Sequence, residues 1–174
     1  HAAGVVGGIE ANMSAPVKYL TENTQMGMNL ITTCIKHKVK SFLNLASSCM
    51  YPKDLMQPLS EDMLFTGLLE PTNEGYAIAK LAVTKLCEYV SNEMPGFFYK
   101  TLIPCNLYGK YDNFSYSSSH MIPGVIRRIH DAKTANADHI LIWGDGKARR
   151  EFMYAEDFAN FIFFAIENFD RIPQ

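Results

Sequence analysis

The alternation of helical and strand patterns along the first 104 residues constrains the fold of this chain more than any other feature. Apolar residues recur at helical spacing in two segments, one that starts at Ser14–Pro16 and one at 73–94. Each segment is followed by a short apolar run of strand character, at 39–46 and at 97–103. Because helices alternate with strands, the strands are expected to be parallel and joined by right-handed crossovers. The sequence therefore predicts an α/β fold, with Ser14 as the cap of the first helix.

The remainder of the chain is less regular. Residues 106–119 are rich in Asn, Asp, Tyr, Ser and Gly, which predicts a loop. A helix is predicted at 121–133, a strand at 139–143, and a strand followed by a helix at 151–154 and 156–168. No GxGxxG motif follows a strand, so the phosphate-binding first half of a doubly wound fold would lie upstream of this chain. The start without a methionine also suggests a fragment or a processed piece.

The composition excludes several classes of protein. The 16 Lys and Arg against 18 Asp and Glu give a net charge of −2, which excludes a general nucleic-acid binder. The longest apolar stretch, 158–169, is too short and too interrupted to span a bilayer, so no membrane partner is expected. No metal site is predicted. The cysteines form no CxxC pair and predict reduced thiols and a cytoplasmic location; they are Cys34, Cys49, Cys87 and Cys105.

The strongest chemical signal is the segment Tyr76-Ala-Ile-Ala-Lys80. Four residues apart on a helix, Tyr76 and Lys80 face the same side. A phenol titrates near pH 10, and a neighbouring ammonium stabilises the phenolate and moves the pKa towards neutrality. Such a pair is by itself more often an ordinary surface pair. Here, however, the preceding strand ends in Ser-Ser-Cys at 47–49, at the carboxyl strand end where open α/β folds bind ligands.

Three motifs and their order carry a resemblance to a known family. They are SSCMYP at 47–52, EPTNEGYAIAK at 70–80 and NLYG at 106–109, and further matches follow at 112–114, 119–123, 127–128, 143–144 and 150–152. Together they resemble the extended short-chain dehydrogenase/reductases, and within them the epimerase/reductases that form GDP-L-fucose from a GDP-4-keto-6-deoxy sugar. The resemblance covers essentially the whole chain.

The resemblance implies the C-terminal half of a partial Rossmann-like, doubly wound parallel sheet, plus part of a smaller substrate-binding domain. Residues 1–109 would be the second half of a NAD(P)-binding domain, residues 110–150 a substrate-binding segment, and residues 151–174 a strand and helix that close the domain. Because the Gly-rich turn is not in the chain, this piece alone is expected to bind cofactor poorly and to be inactive.

The resemblance also implies roles for five side chains. Tyr76 would protonate the C4 oxygen of the sugar as hydride arrives from NADPH, and Lys80 would bind the nicotinamide ribose and lower the pKa of Tyr76. Ser47 would hydrogen-bond the same oxygen. Cys49 and His120 would be the base and acid that epimerise C3 and C5, which is reasonable chemistry because protons beside a ketone are acidic.

Further positions are implied to bind rather than to react. Asn73 would support the hydrogen bonding of Tyr76. Arg128, Trp143 and Arg150 would hold the nucleotide sugar, since an arginine fork suits a diphosphate; one of Arg127 and Arg128 is expected to be merely solvated. The implied cofactor-binding residues are Leu45, Ala46, Ser47, Ser48, Tyr76, Lys80, Pro104, Cys105, Asn106, Leu107 and His120.

Three functions stay open at this point. The first is an NADP-dependent epimerase/reductase of a GDP-sugar. The second is another nucleotide-sugar epimerase, dehydratase or reductase of the same superfamily, and the third is a non-catalytic fragment or binding module. A homodimer is expected by analogy, through the helix that starts at Ser14 and the helix at 73–94.

Overall fold

The computed structural model describes residues 1–142 and 144–173. It is an α/β structure in which short parallel strands are connected by longer helices. The helices are α1 (Ile9–Ser14), α2 (Pro16–Lys36), α3 (Glu74–Glu93), α4 (Met121–Thr134) and α5 (Ala155–Glu167), and the strands are β1 (Ser41–Leu45), β2 (Phe98–Leu102), β3 (Asn106–Tyr108) and β4 (Phe152–Tyr154).

Strands β1 and β2 form a parallel pair, with Ser41 opposite Phe98 and Leu45 opposite Leu102. The helix α3 connects them, as the alternation predicted, and both carboxyl ends therefore reach the same edge of the sheet. The free edge of β1 is also occupied, because the amino group of His1 donates to Leu43 O at 2.7 Å and Leu45 N donates to His1 O at 3.2 Å. This is the bonding pattern of a parallel neighbour, so β1 is flanked on both sides.

A second parallel pair, β3 and β4, corrects the prediction of an unbroken loop at 106–119. Asn106 lies opposite Phe152 and Tyr108 opposite Tyr154, and the two tyrosine rings are 5.7 Å apart. A strand of three residues has no local periodicity to detect, and it exists here because a distant segment pairs with it. The strand predicted at 139–143 is wrong over residues 139–142, where Leu141 and Ile142 are exposed and unpaired with another strand; Trp143 lies outside the described residues.

The main core lies between the β1–β2 pair and the helices α2 and α3. The two helices approach closely at Gly27, where a Cβ atom would lie 2.3 Å from Val83 Cγ2. The rings of Tyr99 and Phe97 meet in an edge-type contact, and the centre of the Tyr99 ring lies 5.1 Å from that of Phe42. Buried members of this cluster are Ile31, Phe42, Val83, Cys87, Val90, Phe97 and Tyr99.

The start of α2 differs from the prediction in one detail. Ser14 is the last residue of the short helix α1 and its hydroxyl donates to Ala11 O, so it does not cap α2. The residue at the cap position is Ala15, and Pro16 occupies the first helical turn as expected. None of the helices in the described ranges is both long enough and apolar enough to cross a membrane.

Candidate active site

The carboxyl ends of β1 and β2 are joined by backbone hydrogen bonds beyond the last paired residues. Ala46 N donates to Leu102 O at 2.8 Å, and Ser48 N donates to Pro104 O at 3.2 Å. Ser47 then begins a 3₁₀ turn over Ser48–Met50, with its hydroxyl accepting from Cys49 N at 3.3 Å. The two groups of predicted cofactor-binding residues at these strand ends are thus neighbours in space.

Helix α3 places Tyr76 and Lys80 over this edge. The Tyr76 hydroxyl shares a hydrogen bond with Ser47, and Lys80 Nζ donates to Leu45 O at 3.0 Å. Lys80 is only 7% exposed, and its Nζ lies 5.7 Å from the centre of the Tyr76 ring. The structure therefore brings Ser47, Tyr76 and Lys80 together at this edge of the sheet.

The electrostatics of Tyr76 differ from the prediction. Burial, helped by the nearby Cys49, raises the pKa of Tyr76 to about 12, and the Ser47 hydrogen bond opposes the rise. Burial outweighs the expected lowering by Lys80, and it also lowers the pKa of Lys80 itself. In this arrangement Tyr76 keeps its proton at neutral pH.

Cys49 is half-buried beside the same group, and Asn73 contacts it directly. Asn73 Nδ2 donates to Cys49 Sγ at 3.2 Å. The resemblance had implied that Asn73 supports Tyr76, so this partner is a finding of the structure. Sequence reasoning missed it because no motif spacing relates a residue in the turn after β1 to one 24 positions later.

His120 lies on a different element from this cluster. It is the residue before α4, its side chain is exposed, and within residues 1–142 and 144–173 no hydrogen bond joins it to Ser47, Cys49 or Tyr76. The loop before it packs on Gly8, whose N donates to Ser118 O at 3.4 Å and where a Cβ would meet Ser119 O at 2.9 Å. The close contact with Gly8 fixes the position of the loop that carries His120.

The remaining predicted cofactor residues are occupied mainly in building the fold. Asn106 uses its backbone N and its Nδ2 to bond Glu151 O, at 3.3 and 3.0 Å, and Leu107 lies opposite Met153. Burial raises the pKa of the Cys105 thiol, with the charge of Glu151 contributing. Roles for these residues towards a cofactor stay predictions.

The two predicted substrate-binding arginines, Arg128 and Arg150, have different surroundings. Arg128 lines a cleft of about 400 Å³ beside α4, whereas Arg150 is exposed and donates to Arg149 O at 2.7 Å. Trp143 lies outside the described residues. Arg127 is paired with Asp131 on α4 through an Nε–Oδ2 contact of 2.6 Å. The residues that line the cleft are Tyr116, Arg128, Asp131, Ala132, Ala135, His139, Ile140 and Leu141.

The candidate site places a phenol, an ammonium, a hydroxyl and a thiol at the carboxyl ends of parallel strands. Comparison with known families names the class of protein to which the chain belongs. The model of the NAD dependent epimerase/dehydratase family matches residues 1–174, and the chain belongs to that family. The resemblance drawn from the motifs and the predicted α/β fold with parallel strands are therefore confirmed.

Two curated relatives within this family are similar in sequence to the chain. The chain is 59% identical over 174 residues to GDP-L-colitose synthase of Yersinia pseudotuberculosis. The match covers all of this chain and 56% of that protein. It is 49% identical over 173 residues to GDP-L-fucose synthase of Azorhizobium caulinodans, which corresponds to 99% of this chain and 55% of that protein. The chain thus spans about half the length of these relatives.

A solved structure shows the same fold. The GDP-mannoheptose C4 reductase from Campylobacter jejuni with NADP bound superposes with a TM-score of 0.83 at 27% identity. The match covers 96% of this chain and 58% of the reductase. The parallel strands and crossover helices described above are therefore part of a Rossmann-like architecture.

Proposed function

We propose that the protein containing this chain is an NADP-dependent epimerase/reductase that converts a GDP-4-keto-6-deoxy sugar into GDP-L-fucose or a related GDP-deoxysugar. The observation that carries the proposal is the cluster formed by Ser47, Cys49, Tyr76 and Lys80 at the end of β1. The two curated relatives, named as synthases of GDP-L-colitose and GDP-L-fucose, support the substrate class. We also propose a cytoplasmic location.

The residues at the strand ends fit a nicotinamide cofactor. Lys80 has three N–H donors, and the Leu45 carbonyl accepts from one of them. Gly4 lies beside the ammonium, where a Cβ would be at an ordinary contact distance of 3.7 Å from Lys80 Nζ. These donors suit the hydroxyls of a ribose, and NADPH, when bound, would supply hydride.

For the reduction, Tyr76 is the proton donor. Its raised pKa keeps the phenol protonated, so it can deliver a proton to the C4 oxygen while the C4 carbon receives hydride. Ser47 holds the same oxygen by its hydroxyl. The phenolate that results lies near the Lys80 ammonium, which stabilises the negative charge until a proton returns from solvent.

For the epimerisation, Cys49 is the base. Its thiolate takes the proton from a carbon beside the ketone, the electron pair moves to the C4 oxygen, and a second acid returns a proton to the opposite face. We assign that acid to His120. The assignment requires substrate to lie between His120 and the cluster, since no hydrogen bond joins the two within the described residues.

A reductase that leaves the stereochemistry unchanged is the second candidate. Two observations favour it: no hydrogen bond joins His120 to Cys49 within the described residues, and the fold is similar to that of a solved C4 reductase. Solvent deuterium distinguishes the two functions. An epimerase/reductase incorporates deuterium at C3 or C5 of the product, whereas a pure reductase incorporates none at either carbon.

The proposal is tested with the full-length protein, NADPH and GDP-4-keto-6-deoxymannose. We expect NADPH oxidation and a fucose-configured product by NMR. Tyr76→Phe should lower the rate by about 100- to 10,000-fold, because it removes a general acid. Tyr111→Phe, at a side chain that is 90% exposed, is the matched control and should be unaffected. Unchanged turnover in Tyr76→Phe contradicts the catalytic assignment.

A further inference from the structure

The side chain of Asn73 does not make the hydrogen bond that is usual for an asparagine at its position. Asn73 is the N-cap of α3, where an asparagine oxygen normally accepts a hydrogen bond from the second or third backbone N–H of the helix. Its side chain makes no capping bond. Instead, Nδ2 donates to Cys49 Sγ at 3.2 Å. A side chain that would stabilise the helix is therefore directed towards the sulfur.

The other end of the amide supports a role beyond folding. Asn73 Oδ1 is buried and has no hydrogen-bond partner among the described residues. Buried polar atoms without partners are few in native structures because each costs free energy. A contact made only for stability would not be expected to leave the acceptor unsatisfied while the capping site is empty.

The charge balance around the sulfur agrees with this geometry. The N–H of an amide stabilises a thiolate by a charge-assisted hydrogen bond. Three groups face Cys49: the Asn73 amide, the Ser47 side chain and the Tyr76 phenol. The Ser47 hydroxyl accepts from Cys49 N, and the charge of Cys49 raises the pKa of Tyr76. Of these, only the Asn73 amide is a donor identified as directed at the sulfur.

We propose that Asn73 is a positioning residue that holds the Cys49 sulfur as a thiolate-competent base for epimerisation. The proposal rests on the function proposed above. It makes Asn73 necessary for proton abstraction from carbon and not for the delivery of a proton by Tyr76.

The first test is alkylation of Cys49 by iodoacetamide as a function of pH, followed by peptide mass mapping, in the full-length protein. Only the thiolate reacts. Asn73→Asp keeps an effective N-cap residue but replaces the donor by a carboxylate, so the Cys49 alkylation profile should move to higher pH. At neutral pH the alkylation rate should fall by about 10- to 100-fold, which is the usual value of a hydrogen bond to a charged group.

A second variant and a matched control complete the design. Asn73→Ser also retains a capping residue and lacks the amide, and it should move the profile in the same direction if Asn73→Asp folds poorly. Asn29→Asp makes the same chemical change at an exposed position of α2 and should leave the profile unchanged. Identical Cys49 profiles in wild type and in both Asn73 variants overturn the proposal.

The alkylation result does not depend on turnover, so the two proposals can fail separately. If wild-type protein fails to use the keto-sugar, the proposed function is wrong, whatever the alkylation shows. If it does use it, Asn73→Asp should slow solvent deuterium exchange at C3 and C5 by the same factor as the alkylation. Normal exchange in Asn73→Asp overturns the positioning role.

Discussion

At the scale of single residues, Cys49 influences the ionisation of Tyr76. Burial is the larger cause of the raised pKa of Tyr76, and the charge of Cys49 adds to it. When Cys49 is a thiolate, Tyr76 is therefore held more firmly as the neutral acid. A base and an acid in one small site can work in succession because the charge on one keeps the proton on the other.

Another buried thiol, Cys87, makes stability depend on pH. Cys87 is 1% exposed, and burial raises its pKa from 9.0 to about 12. Because the folded-state pKa lies above the unfolded one, the folded protein favours the neutral thiol. The contribution of Cys87 to the free energy of unfolding is fully present below pH 9 and is lost as pH rises towards 12, a change of about 4 kcal/mol.

We therefore expect the free energy of unfolding, measured by urea titration, to fall as pH rises from 9 to 12. Cys87→Ala should lower the stability at neutral pH by leaving a small cavity and should flatten this pH dependence. Cys34→Ala serves as the control on the neighbouring helix. An equally steep slope in Cys87→Ala would show that another group is responsible.

At the scale of elements, the packing of α2 on α3 depends on a glycine. At Gly27 an added Cβ would lie 2.3 Å from Val83 Cγ2 and 3.0 Å from Val83 Cγ1. Contacts this short require the helices to separate. Since α3 carries Asn73, Tyr76 and Lys80, any such movement is transmitted directly to the candidate site.

Gly27→Ala should destabilise the protein by about 1–3 kcal/mol, as overpacking of a core does. Urea unfolding measures the loss. Val83→Ala removes the two methyl groups that clash, so the double variant should be more stable than the sum of the single effects predicts. Gln25→Ala, on the exposed face of α2, should change little. Additivity in the double variant would contradict the proposed clash.

Elements also show how far local pattern can predict structure. The long helices and the β1–β2 pair were predicted because the spacing of apolar residues within each segment is typical of a helix or a strand. Of the β3–β4 pair, β4 lies within the strand predicted at 151–154, but β3 was predicted as loop because it has three residues and depends on a partner more than 40 positions away. At the site, the Tyr76–Lys80 spacing revealed the helix face, whereas the Asn73–Cys49 bond depends on the turn after β1.

At the scale of the whole molecule, the side-by-side packing of α2 and α3 leaves apolar side chains outside. Val17 is 73% exposed, Ile78 42% and Tyr89 50%. We propose that these helices form the interface of a homodimer, as the sequence comparison with the superfamily suggested. Exposed apolar side chains on two helices packed side by side are candidates for an interaction site.

Sedimentation of the full-length protein should give a dimer. A charged substitution in the proposed interface, Tyr89→Glu, should shift the equilibrium to monomer, because it buries a charge without a partner. Leu141→Glu changes another exposed apolar side chain, away from α2 and α3, and should leave the dimer intact. A monomer for the wild type, or equal effects of the two variants, would contradict the interface.

The parallel pairing of β1 with β2 affects how the protein folds. Facing residues such as Asn44 and Thr101 are 57 positions apart, so the pair closes a long loop and contributes high contact order. The strand ends that carry the candidate site meet only when that loop has closed and α3 has packed. The site is therefore acquired together with the core, and a ligand bound there would stabilise the whole folded chain rather than a local segment.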